Sequence, residues 1–261
     1  MSKVTVVLDR RHLLKCGAAH IGFLSGLGPN TALANSPMGL TGCCLMSGGE
    51  SLIAQSRLGH ISGGIDRIES SGNSRFDLSL GAVLADLASR FNVRPGFGYF
   101  DDRGTPNAIA LPVSQLAFSQ GTVLFGREML SQAMKNSYGD MFVMGICAHE
   151  FAHIVQFFSG FYERLTVGRK TKKLLELHAD FLSGYYIGLR KIEYSISELI
   201  ALGRSWEILG DSNFTDPNHH GTQEERISAL EQGYKLARTR PEFGIQAACE
   251  VGLRYLNTLK S

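Results

Sequence analysis

The first regular pattern of hydrophobic positions along the chain begins near residue 78. Its apolar residues are mostly three and four positions apart, at Leu78, Leu80, Val83, Leu84, Leu87 and Phe91. This spacing places them on the buried stripe of an amphipathic helix. Short apolar runs divided by Gly and Pro follow at residues 97–100, 108–111 and 122–125. These runs predict the strands of a small sheet.

From residue 127 onward the pattern changes to that of helices. The predicted helices cover residues 128–135, 140–158, 172–190, 195–209 and 223–235. Strands that come first and helices that come afterwards predict an α+β domain. With 261 residues, of which 44% are hydrophobic, the chain is long enough for one main domain with a sizeable core. We assign that domain to residues 76–261.

The segment before this domain has a different composition. Residues 35–75 are rich in Gly and Ser, including Ser47-Gly48-Gly49, Ser62-Gly63-Gly64 and Ser70-Ser71-Gly72. Such a composition is typical of a linker or of a pro-segment that covers an active site. No secondary structure is predicted for it.

The N-terminal 34 residues have the features of an export signal. The stretch Asp9-Arg10-Arg11-His12-Leu13-Leu14-Lys15 resembles the twin-arginine signal, although it has Asp before the arginines and Leu13 in place of Phe. A weakly apolar stretch follows, and Ala32-Leu33-Ala34 offers small residues for cleavage. A cytosolic helix is the alternative, but several Gly residues disfavour it. We therefore predict a signal peptide at residues 1–34 and an exported, periplasmic protein.

Two questions about the cysteines remain open, namely whether Cys43 carries a lipid anchor and which cysteines form disulfides. Leu40-Thr41-Gly42-Cys43 resembles a lipobox, in which Cys43 would carry a lipid, but it lies far from the apolar stretch. Disulfides among Cys43, Cys44, Cys147 and Cys249 are permitted in an oxidising compartment, and their pairing cannot be deduced. Cys147 faces away from His149 on a helix, so we predict a packing role for it.

Charge and hydropathy restrict the possible partners. The formal net charge is +2, and the positive charge is concentrated in the first fifteen residues. This distribution gives no electrostatic reason to expect a nucleic acid or an anionic membrane as a partner. The uncharged run near residues 104–126 is too polar to cross a bilayer. We therefore predict no transmembrane segment in the mature chain.

The candidate chemistry lies in the segment His149-Glu150-Phe151-Ala152-His153. The two histidines are four positions apart on a predicted helix, so both imidazoles project from one face and can bind the same metal ion. Glu150 can reach water at the open coordination position and act as general base. Apolar residues on both sides predict that this helix is buried, where unpartnered histidines would cost several kcal/mol.

A catalytic zinc ion that also binds water requires a third protein ligand. We predict that this ligand is Glu176, on the next predicted helix. Asp180 is four residues further on and shares its face, so it is predicted to accept a hydrogen bond from the outer nitrogen of a ligand histidine. The alternative third ligand is His178, which points about 200° away from Glu176.

Three ordered motifs carry a family resemblance. They are HEFAHIVQ at residues 149–156, ELHADFLSG at residues 176–184, and HHGTQEER at residues 219–226 with a following Gly-Tyr pair. Together they resemble the gluzincin metallopeptidases, most closely the bacterial neutral zinc metallopeptidases and more distantly the group of HtpX and the CAAX prenyl endopeptidases. The resemblance implies a zincin-like catalytic domain with a small N-terminal sheet, followed by helices that carry HExxH and ExxAD.

The family pattern assigns the same site residues as the spacing does. It implies metal ligands at His149, His153 and Glu176, the base at Glu150 and a supporting carboxylate at Asp180. One zinc ion per chain is the implied cofactor, and a protein or peptide is the implied substrate.

The resemblance also implies roles for residues that spacing does not identify. In the distant relatives a His six residues before an Arg lies near the zinc, and His220 and Arg226 have this spacing. His220 would donate a hydrogen bond to an oxyanion, and Arg226 would hold the active-site carboxylates. Part of this motif also fits a helix cap, because Thr222 and Glu225 have the spacing of a capping box.

Asn107-Ala108 resembles an Asn-Ala element on the strand beside the active site of these relatives. There Asn107 would help to position an extended substrate along the sheet edge. An Asn that follows Pro106 can also be an ordinary turn residue.

The sequence thus predicts a zinc-dependent endopeptidase in which metal-activated water attacks a peptide bond. Two alternatives use the same metal site. One is a non-catalytic zinc-binding chaperone or adaptor of the cell envelope, and the other is a hydrolase of a non-peptide amide such as a cell-wall crosslink.

Overall fold

The protein combines many helices with one small sheet. A computed structural model describes residues 65–104, 106–135, 138–190, 194–205 and 220–259. The predicted signal peptide, Cys43, Cys44 and most of the Gly/Ser-rich segment lie outside these residues. The described residues are 62% helical with a three-stranded sheet, which is the mixed composition of the predicted α+β class.

The strands lie where the short apolar runs predicted them. They are β1 (Gly96–Phe100), β2 (Ala108–Leu111) and β3 (Thr122–Gly126). The central strand is β3, which pairs parallel with β1 and antiparallel with β2. Strand β2 is therefore an edge strand of this sheet, and all its side chains are buried.

Eight helices are described in addition to this sheet. They are α1 (Ser74–Phe91), α2 (Arg127–Ala133), α3 (Gly139–Phe158), α4 (Phe161–Thr166), α5 (Lys173–Leu189), α6 (Ile196–Ser205), α7 (Gln223–Thr239) and α8 (Ile245–Thr258). Helix α3 contacts α1, α5 and strand β2, so it lies at the centre of the fold. Among the helices of the described ranges, α3 alone is long and apolar enough to cross a membrane, and 94% of its apolar window is buried inside the protein.

Two glycines allow α5 and α7 to pack closely. A Cβ atom at Gly184 would overlap the Leu230 carbonyl oxygen, and one at Gly233 would overlap that of Phe181. Only glycine avoids this overlap, so the backbones approach each other closely at this crossing. The crossing matters for the site, because α5 carries Glu176 and Asp180 while α7 carries Arg226.

Three features lie outside the predicted elements. Helices α4 and α8 are additional, and α8 buries an apolar stripe that includes Ile245, Cys249 and Leu256. Before α1, the backbones of Ile68 and Tyr99 exchange two hydrogen bonds, so Ile68 forms an isolated antiparallel bridge with strand β1. The last residues of the Gly/Ser-rich segment therefore pack on the domain. Cys147 and Cys249 are buried free thiols.

Candidate metal centre

Helix α3 places His149 and His153 side by side in the core. Their Nε2 atoms are 3.0 Å apart, and each side chain is at most 1% exposed. Residues four positions apart lie one above the other on a helix, which is why both rings face the same point. The neighbouring side chains Phe151, Ile154 and Val155 are buried hydrophobic residues. The apolar sequence around the motif thus folds as a core helix.

Glu176 on α5 completes a group of three possible metal ligands. Its Oε2 atom lies 3.4 Å from His149 Nε2 and 3.8 Å from His153 Nε2. An ion in the plane of these three atoms and equally far from each would lie about 2.0 Å from them, which is a typical Zn–N bond length. His149, His153 and Glu176 are all buried and could hold a metal ion. The donor set therefore fits a small divalent cation by both distance and chemistry.

The protonation states of these side chains favour metal binding. Burial lowers the pKa of His153 to about 3, so its ring is neutral and has a free lone pair at pH 7. Burial raises the pKa of the Glu176 carboxyl, but the imidazoles of His220, His153 and His149 outweigh it and hold that pKa well below its usual value. Metal ligands must be deprotonated, so no proton has to be removed from these two residues when an ion binds.

Asp180 and Arg226 fix the orientation of the His149 ring. Asp180 Oδ1 accepts a hydrogen bond from His149 Nδ1 at 2.9 Å, which leaves Nε2 directed at His153 and Glu176. Arg226 Nε and Nη2 donate to the two oxygens of the same carboxylate at 2.8 and 2.9 Å. Burial raises the pKa of Asp180, but the charge of Arg226 lowers it by more. The pKa therefore lies below its usual value, and the carboxylate stays ionised. A bidentate pair of this kind holds its carboxylate in one orientation.

His178 faces away from His149, His153 and Glu176. Its Nδ1 atom lies 3.1 Å from Gln156 Nε2, and its Nε2 atom lies 3.0 Å from the Cys249 carbonyl oxygen. Both ring nitrogens thus have hydrogen-bond partners on α3 and α8, and Glu176 is the residue of α5 that meets the two histidines.

Gln156 is a site residue that the sequence patterns did not identify. Its Oε1 atom lies 2.6 Å from His153 Nδ1, so it holds the second histidine as Asp180 holds the first. Two sequence signals could have identified it, its position three residues after His153 and its place at the end of the motif at residues 149–156.

Glu150 lies on α3 directly after His149 and is fully buried. It is close enough to Cys147 for its charge to raise the pKa of that thiol, after burial as the main cause. The raised pKa keeps Cys147 protonated, and a protonated thiol is a poor metal ligand. This state agrees with the packing role predicted for Cys147.

His220 precedes α7 and reaches the same site. Its Nδ1 atom lies 3.2 Å from Glu176 Oε2, and the side chain is buried. The capping box that follows is present, because Thr222 accepts from the Glu225 backbone N–H and Glu225 accepts from that of Thr222. The third motif therefore both begins α7 and places His220 beside a predicted ligand.

Asn107 stands at the start of the edge strand β2. Its backbone N–H donates to Asp102 Oδ2, and its Oδ1 accepts from the Ala108 N–H. Within the described residues its buried Nδ2 atom has no hydrogen-bond partner. Asp102 also accepts from the N–H groups of Glu128 and Met129, so one carboxylate connects this strand to the beginning of α2.

Comparison of the chain with protein-family models, with curated proteins and with solved structures finds no match in any of the three.

Proposed function

We propose that this protein is a zinc-dependent endopeptidase of the gluzincin type. The observation that carries the proposal is the buried triad of His149, His153 and Glu176, with Glu150 adjacent to the first ligand on the same helix. Two histidines and one glutamate are the ligands of catalytic zinc in peptidases of this type. We also propose that the sheet, α3 and α5 together form a zincin-like domain.

Zinc suits this ligand set better than a harder cation does. Mg²⁺ and Ca²⁺ prefer oxygen ligands, whereas two of the three donors here are imidazole nitrogens. A bound zinc ion would lower the pKa of water to about 7 and polarise a peptide carbonyl. With three protein ligands, one coordination position is left for water or substrate.

The residues of the chain then have separate tasks. The Glu150 carboxylate accepts a proton from the attacking water and passes it to the leaving amine. His220 donates a hydrogen bond to the oxygen that gains negative charge. Asp180 and Arg226 keep the His149 ring aligned, at distances of 2.8 to 2.9 Å.

An extended peptide is the substrate that best suits the surroundings of the site. Strand β2 has a neighbour on one side only within the described sheet, and it contacts α3. Asn107 and the residues of β2 are buried, so a peptide could pair with the other edge of β2, and accept a hydrogen bond from Asn107 Nδ2, only after this edge opens. We further propose that the N-terminal 34 residues direct export, so that the enzyme works in the periplasm.

Removal of the metal is expected to abolish hydrolysis reversibly. Full-length protein loaded with zinc should cleave unfolded casein, lose that activity in excess chelator, and regain it when zinc is added back. The melting temperature should fall and recover in parallel, because a ligand at 100 times its Kd stabilises the folded state by about 2.7 kcal/mol. The measurements are fragment release and thermal unfolding.

The same assay distinguishes the alternative functions. Cleavage of purified cell wall without cleavage of casein would indicate a hydrolase of a non-peptide amide. Zinc binding that suppresses casein aggregation without cleaving any substrate would indicate an envelope chaperone. Either result would overturn the proposed endopeptidase activity.

A further inference from the structure

Gln156 connects the second histidine of the triad to two other helices. From its contacts we infer that Gln156 is a positioning residue, whose amide fixes both the orientation and the tautomer of His153 and thereby sets the zinc affinity. The inference rests on the proposed function, because it assumes that His153 binds the metal. It adds a residue whose role neither spacing nor family resemblance identified.

The orientation of the Gln156 amide follows from its partners. One end lies 3.0 Å from the Leu175 carbonyl oxygen, which can only accept a hydrogen bond, so this end is the NH2 group. The other end is therefore the oxygen, and it faces His153 Nδ1 at 2.6 Å. An oxygen in this position requires the proton of His153 to be on Nδ1. The lone pair of His153 is consequently on Nε2, which faces the other ligands.

The hydrogen bonds of His178 also fix which end of the Gln156 amide is the donor. Its Nδ1 atom accepts from the Gln156 NH2 group, so its own proton is on Nε2 and is donated to the Cys249 carbonyl. The two chains of hydrogen bonds that start at the Gln156 NH2 group thus end on backbone carbonyls, one of α5 and one of α8. A carbonyl cannot donate, so neither chain can run in the opposite direction. The His178 ring is also held by stacking on Phe161, with ring centroids 5.5 Å apart.

Burial makes this network costly to break. Gln156 and His178 are 0% exposed, so water from the surface does not substitute for a lost partner. Loss of the Gln156 oxygen would leave the His153 N–H unsatisfied and the ring free to turn. Hydrogen-bond partners of metal-binding histidines typically change metal affinity by about 10- to 100-fold.

A purely structural role for Gln156 is the competing explanation, and Ser183 provides the matched control. Ser183 is also buried, and its hydroxyl connects the same two helices by donating to the Gly145 carbonyl at 2.8 Å. Among the described residues, Ser183 accepts no hydrogen bond from a predicted ligand. A substitution that only loosens α3 against α5 should therefore have the same effect at either position.

The test is the zinc dissociation constant of the full-length protein, measured by competition with a chromophoric chelator. We expect zinc binding by Gln156→Met to be about 10- to 100-fold weaker than in wild type. His178→Met should weaken it less, because the Leu175 carbonyl still holds the amide. Ser183→Ala should bind as wild type does. Circular dichroism would verify that each variant is folded.

Each result has a distinct meaning. If wild type binds no zinc, the proposed function fails. If wild type binds zinc and Gln156→Met binds it equally well, this inference is wrong while the proposed function stands. Equal weakening by Ser183→Ala would also overturn it. If Gln156→Met does not fold, Gln156→Asn replaces it, because that amide is one methylene group shorter; unchanged affinity there would likewise contradict the inference.

Discussion

Glu150→Gln is expected to lower kcat for casein cleavage by about a hundredfold to ten-thousandfold while one zinc ion stays bound. The amide has nearly the same shape as the carboxylate but cannot accept a proton from water. The three ligand side chains are unchanged, so metal content should equal that of wild type. Initial rates and zinc content, measured on the same preparation, test the prediction.

Glu163→Gln is the matched control for this experiment. Glu163 lies on α4 and is exposed, so the same change of charge occurs away from the site. It should leave kcat unchanged. Glu150→Gln protein that holds zinc and still cleaves at the wild-type rate would rule out Glu150 as the base.

Arg226→Met is expected to have the largest effect on stability. It removes the cation that compensates the buried Asp180 carboxylate, and such a loss costs roughly 3–5 kcal/mol. For a domain of this size the melting temperature should fall by roughly 6–20 °C. Zinc affinity should fall as well, because Asp180 also orients His149. Thermal unfolding with and without zinc measures both effects.

The control for this variant is Arg240→Met. Arg240 pairs with Glu242 at the surface, where solvent screens the interaction, so the melting temperature should change little. Arg226→Lys should be intermediate, since a single ammonium group cannot make both hydrogen bonds. A melting temperature for Arg226→Met equal to that of wild type would contradict the structural role given to this ion pair.

Local spacing was sufficient to predict much of the fold and of the site. The strands and the long helices follow from hydrophobic runs and periods that operate within a few residues. The i to i+4 spacing placed His149 beside His153, and the same rule placed Asp180 one turn from Glu176. The angle of about 100° per residue on a helix also placed His178 on the opposite face, where its ring is hydrogen-bonded to the Cys249 backbone carbonyl.

Features that depend on distant parts of the chain were not predictable in this way. The sheet order, with β3 between β1 and β2, depends on pairing between separated segments. Helix α8 has a buried stripe, but Gly252 within it weakens the helical pattern. The partners of Gln156 belong to α5, so its position after His153 shows nearness to the ligand without showing what fixes the amide.

The central claim is that His149, His153 and Glu176 together bind one zinc ion. The most direct measurement is the zinc content per chain, by mass spectrometry of the metal, for wild type and Glu176→Ala after loading and dialysis. We predict one zinc ion per wild-type chain and a large loss from Glu176→Ala. A folded wild-type protein that retains no zinc, or a Glu176→Ala variant that retains it fully, would contradict the claim.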